Sequence, residues 1–321
     1  SICVFDLGKK DEKTMGYDRE PVVQSSLTTG KHMDPVWQVH WQKEDYSKES
    51  TFYSVSSDGK VAKWNISKND LKMELAMTLK LVPSVEGTGN AVDEVLASMS
   101  TTVVLSVAAS TGSSLSGLAN GCCFDFNEVQ EHLFLVGTEE GRIHKCSKAY
   151  SGQYLETYIG HNMAVYSIKW NPFNENIFLS CSADWTVKLW HRDRRHPIMS
   201  FDLGNAVGDI SWSPYSSTVF AAVTGDGKVH VFDLSVNKKE ALCQQKVIKK
   251  ARLTQVRFNA KDYILIVGDD RGVVHSLKLS PNLRKRWEDL EREEGSFVEG
   301  TGDAFKASQR RKMESLLETC E

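Results

Sequence analysis

Short runs of alternating apolar and polar residues recur along the chain: VWQVHW ending at Trp41, CCFDF at Phe126, VYSIKW at Trp170, VGDISW at Trp212 and LTQVRF at Phe258. A period of two places every second side chain on one face, so each run predicts a strand with one face packed. One unit reads through to a fourth strand: GHNMAVYSIKW to Trp170, NIFLSC to Cys181, TVKLWH to His191 and PIMSFD to Asp202, giving strands a, b, c and d. Proline in NPF at Asn171 and SPY at Ser213 marks turns, because it fixes its own φ and biases its neighbour. Asp58-Gly59, Glu140-Gly141 and Asp226-Gly227, with Arg271-Gly272 in the equivalent place, predict tight b–c hairpins in which glycine accepts a positive φ.

The units repeat. A residue closing each third strand falls at Phe5, Trp64, Cys146, Trp190, Phe232 and Ser276, at steps of 59, 82, 44, 42 and 44 residues. Steps near 44 are those of four-stranded β-propeller blades. The expected fold is therefore all-β, a WD40-type β-propeller, with about five blades in this stretch and seven in the complete protein. Residues 1–7 read as the end of a preceding blade, 8–31 as a charged linker and loop, and 32–280 as five WD-repeat blades. The long step predicts an insertion at about 82–119, rich in Ser, Thr and Gly. The last repeat has no convincing d strand, and the opening SICVFDL looks like the end of a strand in a longer protein. In the mixed-charge tail, 281–321, Phe305, Met313, Leu316 and Leu317 stand at loosely helical spacing. Two readings of that tail stand: a short amphipathic helix that docks on a partner, or a solvated segment.

Composition adds mainly exclusions. Net charge is −3, from 39 basic and 42 acidic residues, with no long basic block, which argues against nucleic acid as the main partner. No apolar stretch reaches membrane-spanning length. The seven cysteines form no CxxC pair, so reduced thiols, as in an intracellular protein, are expected. Nine dispersed histidines without HExxH or a close Cys/His cluster predict no metal, and Cys122 and Cys123 on adjacent strand positions face opposite ways. No GxxxxGK[ST] or GxGxxG occurs, so no nucleotide cofactor is expected.

Two sets of residues repeat in register: His32, Ser54, Asp58 and Trp64, then His161, Ser180, Asp184 and Trp190. The residue types are those of a hydrolase triad, but recurrence in two blades predicts a structural network. In it the aspartate fixes one histidine tautomer while serine and the indole N–H complete the chain. At Asp226 the partner positions hold Ala222 and Phe232, so that blade is expected to rely on apolar packing. Candidate partner contacts lie in loops. Trp185 occupies a b–c turn where neighbouring repeats place glycine, and either meets a partner or covers a local apolar edge. Asn162, Met163 and Tyr166 fall near the adjoining connection. Asp269, Asp270 and Arg271 form a charged turn on the last blade, whose other reading is turn chemistry.

The stretches DPVWQVHWQ, FYSVSSDG, FLVGTEEGRIHKCSKAY, SCSADWTVKLW, AVGDISWSPYSSTVFAAVTGDGKVHVFDL and IVGDDRGVVHSLKLSPNLRK carry more than a generic WD pattern. Together they resemble the WD-repeat half of the intermediate chains of axonemal outer-arm dynein, over nearly everything up to Lys285. The resemblance implies a non-catalytic subunit of a ciliary or flagellar motor, located in the axoneme and assembled in the cytoplasm. Its implied partners are a dynein heavy-chain tail and a second intermediate chain. Dynein light chains would bind through an N-terminal region outside this sequence, and doublet microtubules or docking proteins indirectly; ATP hydrolysis would belong to the heavy chain. A cytoplasmic dynein intermediate chain and a WD-repeat substrate adaptor of a ubiquitin ligase are the alternatives.

Overall fold

The computed structural model describes residues 1–6, 8, 20–42, 50–67, 70–82, 117–283 and 302–319. Most of the 82–119 insertion, residues 9–19 of the 8–31 loop and residues 284–301 of the tail lie outside the described residues.

The alternating runs form strands at the positions their periodicity marks. Strands β3 (Val36–Trp41), β4 (Thr51–Ser56), β5 (Lys60–Ile66) and β6 (Leu71–Thr78) pair in that order as an antiparallel sheet. So do β7 (Gly121–Phe126), β8 (Leu133–Thr138), β9 (Ile143–Ser147) and β10 (Glu156–Tyr158). Two further four-stranded sheets follow: β11 (Val165–Trp170), β12 (Ile177–Ser182), β13 (Thr186–His191) and β14 (Met199–Asp202), then β15 (Val207–Trp212), β16 (Val219–Thr224), β17 (Lys228–Asp233) and β18 (Cys243–Lys246). The last sheet has three strands, β19 (Leu253–Phe258), β20 (Ile264–Asp269) and β21 (Val274–Lys278). At the start of the chain β1 (Cys3–Val4) pairs with β2 (Val23–Gln24). Phe5, expected to close a strand, lies just past β1 and is exposed, because no neighbouring sheet covers it among the described residues.

The chain divides into two compact units, residues 1–124 with 145–155, and residues 125–144 with 156–321. In the first, Phe52, Ala62, Trp64 and Leu71 pack against Ile2 and Val23. In the second, each sheet lays the apolar face of its b and c strands on the a strand of the next. Leu179, Cys181 and Leu189 meet Ile210, Trp212 and Phe220, and Ala221, Val223 and Val231 meet Val256, Leu265 and Val267. Burial of such interlocked β-branched and aromatic side chains is the main driving force, roughly 1.5–3 kcal/mol for each fully covered side chain.

Polar residues on the a strands clasp successive strands within each unit. Gln38 exchanges two hydrogen bonds with the Phe124 backbone, donating at 2.9 Å and accepting at 3.0 Å. Asp209, almost fully buried, accepts from the Val256 N–H (3.0 Å) and from Arg257 Nη1 (2.6 Å). Asp125 accepts from the Trp170 N–H at 2.8 Å.

The b–c hairpins turn on glycine. Gly59, Gly141, Gly227 and Gly272 have φ between 73° and 84°. At Gly227 a Cβ would stand 2.2 Å from the Ile248 carbonyl oxygen, so glycine is needed there for space as well as for conformation.

The tail holds a helix, α1 (Gly302–Glu318). The helix of the first reading forms, and the solvated reading is corrected, because the apolar face of α1 lies on its own chain. Met313 and Leu316 are buried in the cluster containing Trp212, Phe220 and Phe232, and Phe305 packs edge-on against Phe173. The Ser217 N–H donates to Gln309 Oε1 at 3.0 Å, and Ser217 Oγ donates to the Gln309 carbonyl at 2.8 Å. The apolar spacing predicts a helix face correctly; it carries no information on whose surface that face meets.

Candidate functional site

The two repeated residue sets each form one hydrogen-bonded chain. Trp64 Nε1 donates to Ser54 Oγ (2.7 Å), Ser54 Oγ lies 2.8 Å from His32 Nε2, and His32 Nδ1 lies 2.9 Å from Asp58 Oδ2. In the second unit Trp190 Nε1 donates to Ser180 Oγ (2.8 Å), Ser180 Oγ lies 2.6 Å from His161 Nε2, and His161 Nδ1 lies 2.8 Å from Asp184 Oδ2. The carboxylate fixes the tautomer: Nδ1 carries the proton and Nε2 accepts from the serine hydroxyl. Each aspartate also closes its own turn. Asp184 accepts from the Asn162 and Thr186 N–H groups and from Thr186 Oγ1 (2.6 Å). Asp58 accepts from Met33 and Lys60 in the same way.

Burial pushes the His161 pKa down, against the opposing pull of Asp184, so the imidazole is neutral. Burial alone would raise the Asp184 carboxyl, but hydrogen bonds from His161 and Thr186 outweigh it and hold it below the usual carboxylate range.

Asp–His–Ser connectivity is that of a serine nucleophile with its base, yet the surroundings forbid the chemistry. Ser54 and Ser180 are fully buried, and the indole N–H occupies a lone pair of each hydroxyl. A carbonyl carbon has no approach to either oxygen. Beneath the networks Phe52 stacks on Trp64 and Phe178 on Trp190, at interplanar angles of 11° and 4°. In the β15–β18 sheet, one of those that lack the set, Phe232 stacks on Phe220 in the same place (8°), and Asp226 meets Thr224 Oγ1 (2.6 Å) and Lys228. Among the described residues no group of three or more His, Cys, Asp or Glu side chains is arranged to hold a metal ion.

The exposed chemistry lies at the rim formed by the turns. Trp185 has φ 72°, alone among the described non-glycine residues in having a positive φ, and its side chain is 53% exposed. Its carbonyl accepts from the Leu203 N–H at 3.0 Å, which locks the turn. An L residue in this region costs about 1–2 kcal/mol, and a bulky one pays it with no local relief. Met163 and Tyr166 are exposed at the same end of the sheet, and Asn162 is tied to Asp184. Tyr166 is displayed by a bulge between Val165 and Ser167; equivalent bulges display Trp37 and Thr254 on β3 and β19. The charged turn divides: Asp269 is buried and accepts from the Arg271 and Val273 N–H groups, whereas Asp270 and Arg271 are exposed.

Sequence reasoning missed Thr186, the clasp residues Gln38, Asp125 and Asp209, and the bulges. The clasps had a signal, a polar residue inside an otherwise apolar strand; the bulges, set by backbone register, had none.

A family model for the WD40 domain of dynein axonemal intermediate chain 3 matches residues 116–279. The chain is 53% identical over 271 residues to the ciliary dynein intermediate chain 2 of Heliocidaris crassispina, covering 84% of this chain and 36% of that protein. It is 45% identical over 304 residues to the 78 kDa intermediate chain of the flagellar outer arm dynein of Chlamydomonas reinhardtii, covering 91% and 40%. With dynein axonemal intermediate chain 1 of Bos taurus it shares 50% identity over 287 residues, covering 89% and 37%. The chain thus spans well under half the length of these relatives. Among solved structures, the WD40 β-propeller domain of Doa1 aligns with a TM-score of 0.53 at 18% identity, covering 78% of this chain and 67% of that one, a likeness of fold alone.

Proposed function

This chain belongs to the axonemal dynein intermediate chain family, and on that premise we propose that it is the WD-repeat scaffold of an outer-arm intermediate chain. The observation that carries the reading is 45–53% identity to ciliary and flagellar intermediate chains over 84–91% of the chain. In the complete protein the sheets would be blades of a seven-bladed propeller in the axoneme. The scaffold is non-catalytic: its triad-like networks hold turns, and ATP hydrolysis belongs to the heavy chain. Its partners are a dynein heavy-chain tail and a second intermediate chain, with light chains bound elsewhere in the protein and doublet microtubules reached through the assembled arm. We assign the rim bearing Asn162, Met163, Tyr166 and Trp185 as the contact surface, because it presents half-exposed apolar side chains on a turn held in a costly conformation. Rigid loops of this kind suit a permanent interface.

Crosslinking with mass spectrometry on dynein extracted from axonemes tests this. Links from Lys188 and neighbouring rim residues to a heavy-chain tail and a second intermediate chain are expected. Failure to recover the protein with any dynein heavy chain would overturn the motor assignment. Links confined to the α1 side would move the contact surface and leave the assignment standing.

A further inference from the structure

The rim of the second unit also gathers positive charge that blade folding does not require. Strand β18 is exposed along its length, and its register sets Lys246 directly opposite Lys228 on β17. Like charges at opposed positions destabilise a sheet. Lys228 is relieved by Asp226, with Nζ 2.7 Å from Oδ2. The connection after β18 adds Lys249, Lys250 and Arg252, all exposed. It folds onto the turn of the last sheet: the Asp270 N–H donates to the Arg252 carbonyl at 3.0 Å, and Arg271 Nη2 donates to the Lys250 carbonyl at 2.7 Å. Three separate backbone segments therefore bring Lys228, Lys246, Lys249, Lys250, Arg252 and Arg271 together against Asp226 and Asp270. Among the described residues no carboxylate lies within ion-pair distance of the side chains of Lys246, Lys249, Lys250, Arg252 or Arg271. This local excess stands in a chain of net charge −3.

We propose that this surface is a docking site for an extended acidic polypeptide segment, rich in Asp and Glu. Charge complementarity requires an anionic partner, and the backbone selects a polypeptide. Strand β18 is the outer strand of its sheet, so its outward N–H and C=O groups face away from every strand of that sheet. An added extended segment would take up those groups and set alternate carboxylates against the lysines. A nucleic acid or a membrane offers phosphate acceptors but not N–H donors at strand spacing for the edge carbonyls, and Asp226 and Asp270 within the patch interrupt a continuous phosphate track. The proposal is independent of the motor assignment.

The test is fluorescence anisotropy with the full-length protein and a short labelled peptide of alternating Glu and Thr. Parallel titrations use the Lys/Thr counterpart, a single-stranded DNA oligonucleotide and phosphatidylserine vesicles. The acidic peptide alone should bind, more weakly as salt rises. Lys249→Glu with Lys250→Glu should weaken it by about tenfold or more, while Lys306→Glu with Arg311→Glu on the exposed side of α1 leaves it unchanged. Lys246→Gln, which alters neither turn, should weaken it to a smaller degree and guards against misfolding of the double variant. Equal affinity in the wild type and both Lys249/Lys250 and Lys246 variants would overturn the proposal. So would tighter binding of the oligonucleotide or vesicles that the Lys249/Lys250 reversal abolishes.

Discussion

Replacing Trp185 by alanine and, separately, by glycine isolates the cost of its backbone conformation. Both substitutions remove the indole, so their difference contains no term for side-chain packing. At an ordinary strand or helix position alanine is the more stable by about 0.5–1 kcal/mol, because glycine loses more chain entropy on folding. At φ 72° the order should invert. An L residue in the left-handed region costs about 1–2 kcal/mol, and subtracting glycine's entropy leaves glycine ahead by about 0.5–1 kcal/mol. The turn has a local reporter, the Leu203 amide that donates to the Trp185 carbonyl. Native-state hydrogen exchange should show this amide about two- to fivefold more protected in Trp185→Gly than in Trp185→Ala. Both variants should lose heavy-chain binding alike, since both lack the indole. If alanine protects Leu203 as well as or better than glycine, the turn is not strained, and the argument that a partner explains this tryptophan collapses.

Two further outcomes follow from the networks. Ser180→Ala leaves the Trp190 indole N–H without its acceptor and His161 Nε2 without its donor in a fully buried site, and should destabilise by about 2–4 kcal/mol in denaturant unfolding; a change below about 0.5 kcal/mol would show that water reaches the site. Stability should also fall on acidification from neutral pH. Burial lowers His161 and His230 and, aided by Arg142, brings His144 down to about 3, so below about 6.5 the unfolded chain takes up protons that the folded chain refuses. His144 alone removes about 2 kcal/mol by pH 5, at about 1.4 kcal/mol per pH unit, and His161 and His230 act in the same direction. The depressed carboxyl of Asp184 acts in the same sense at lower pH, its contribution being lost as pH falls through its folded value. A melting temperature flat between pH 7 and pH 5 would refute the assignment of these histidines as neutral and buried.

Periodicity made the strands legible because each run must hide one face, and a slip by one residue would expose Ile210 and Trp212 together. The network residues were legible for a related reason: a buried histidine needs a fixed set of partners, and that need recurs at fixed spacing in two sheets. Apolar packing leaves no comparable mark. Phe232 replaces a tryptophan, and nothing in its own position announces that Phe220 stacks beneath it. Helix α1 was half legible, since Met313 and Leu316 declare a face but not its destination. The basic patch was half legible: Lys246, Lys249, Lys250 and Arg252 fall within seven residues of sequence, but Lys228 and Arg271 join them only through the pairing of β17 with β18 and of two loops.

The networks and the rim answer the same constraint in opposite ways. A carboxylate, an imidazole and a hydroxyl in series polarise one another, and with an open hydroxyl they would make a nucleophile. Here the fourth member, the indole, ends the series inside the protein, so the same polarity fixes the position of Asp184 and with it the turn at Trp185. The rigidity of that turn is what allows a bulky residue to be held at a positive φ: with the aspartate anchored on one side and the Leu203 N–H on the other, the backbone cannot relax to relieve the strain. A flexible loop carrying the same tryptophan would relax and fold the indole against its own surface. Burying one polar chain therefore makes it affordable to leave a large apolar side chain half in solvent, where another protein can reach it.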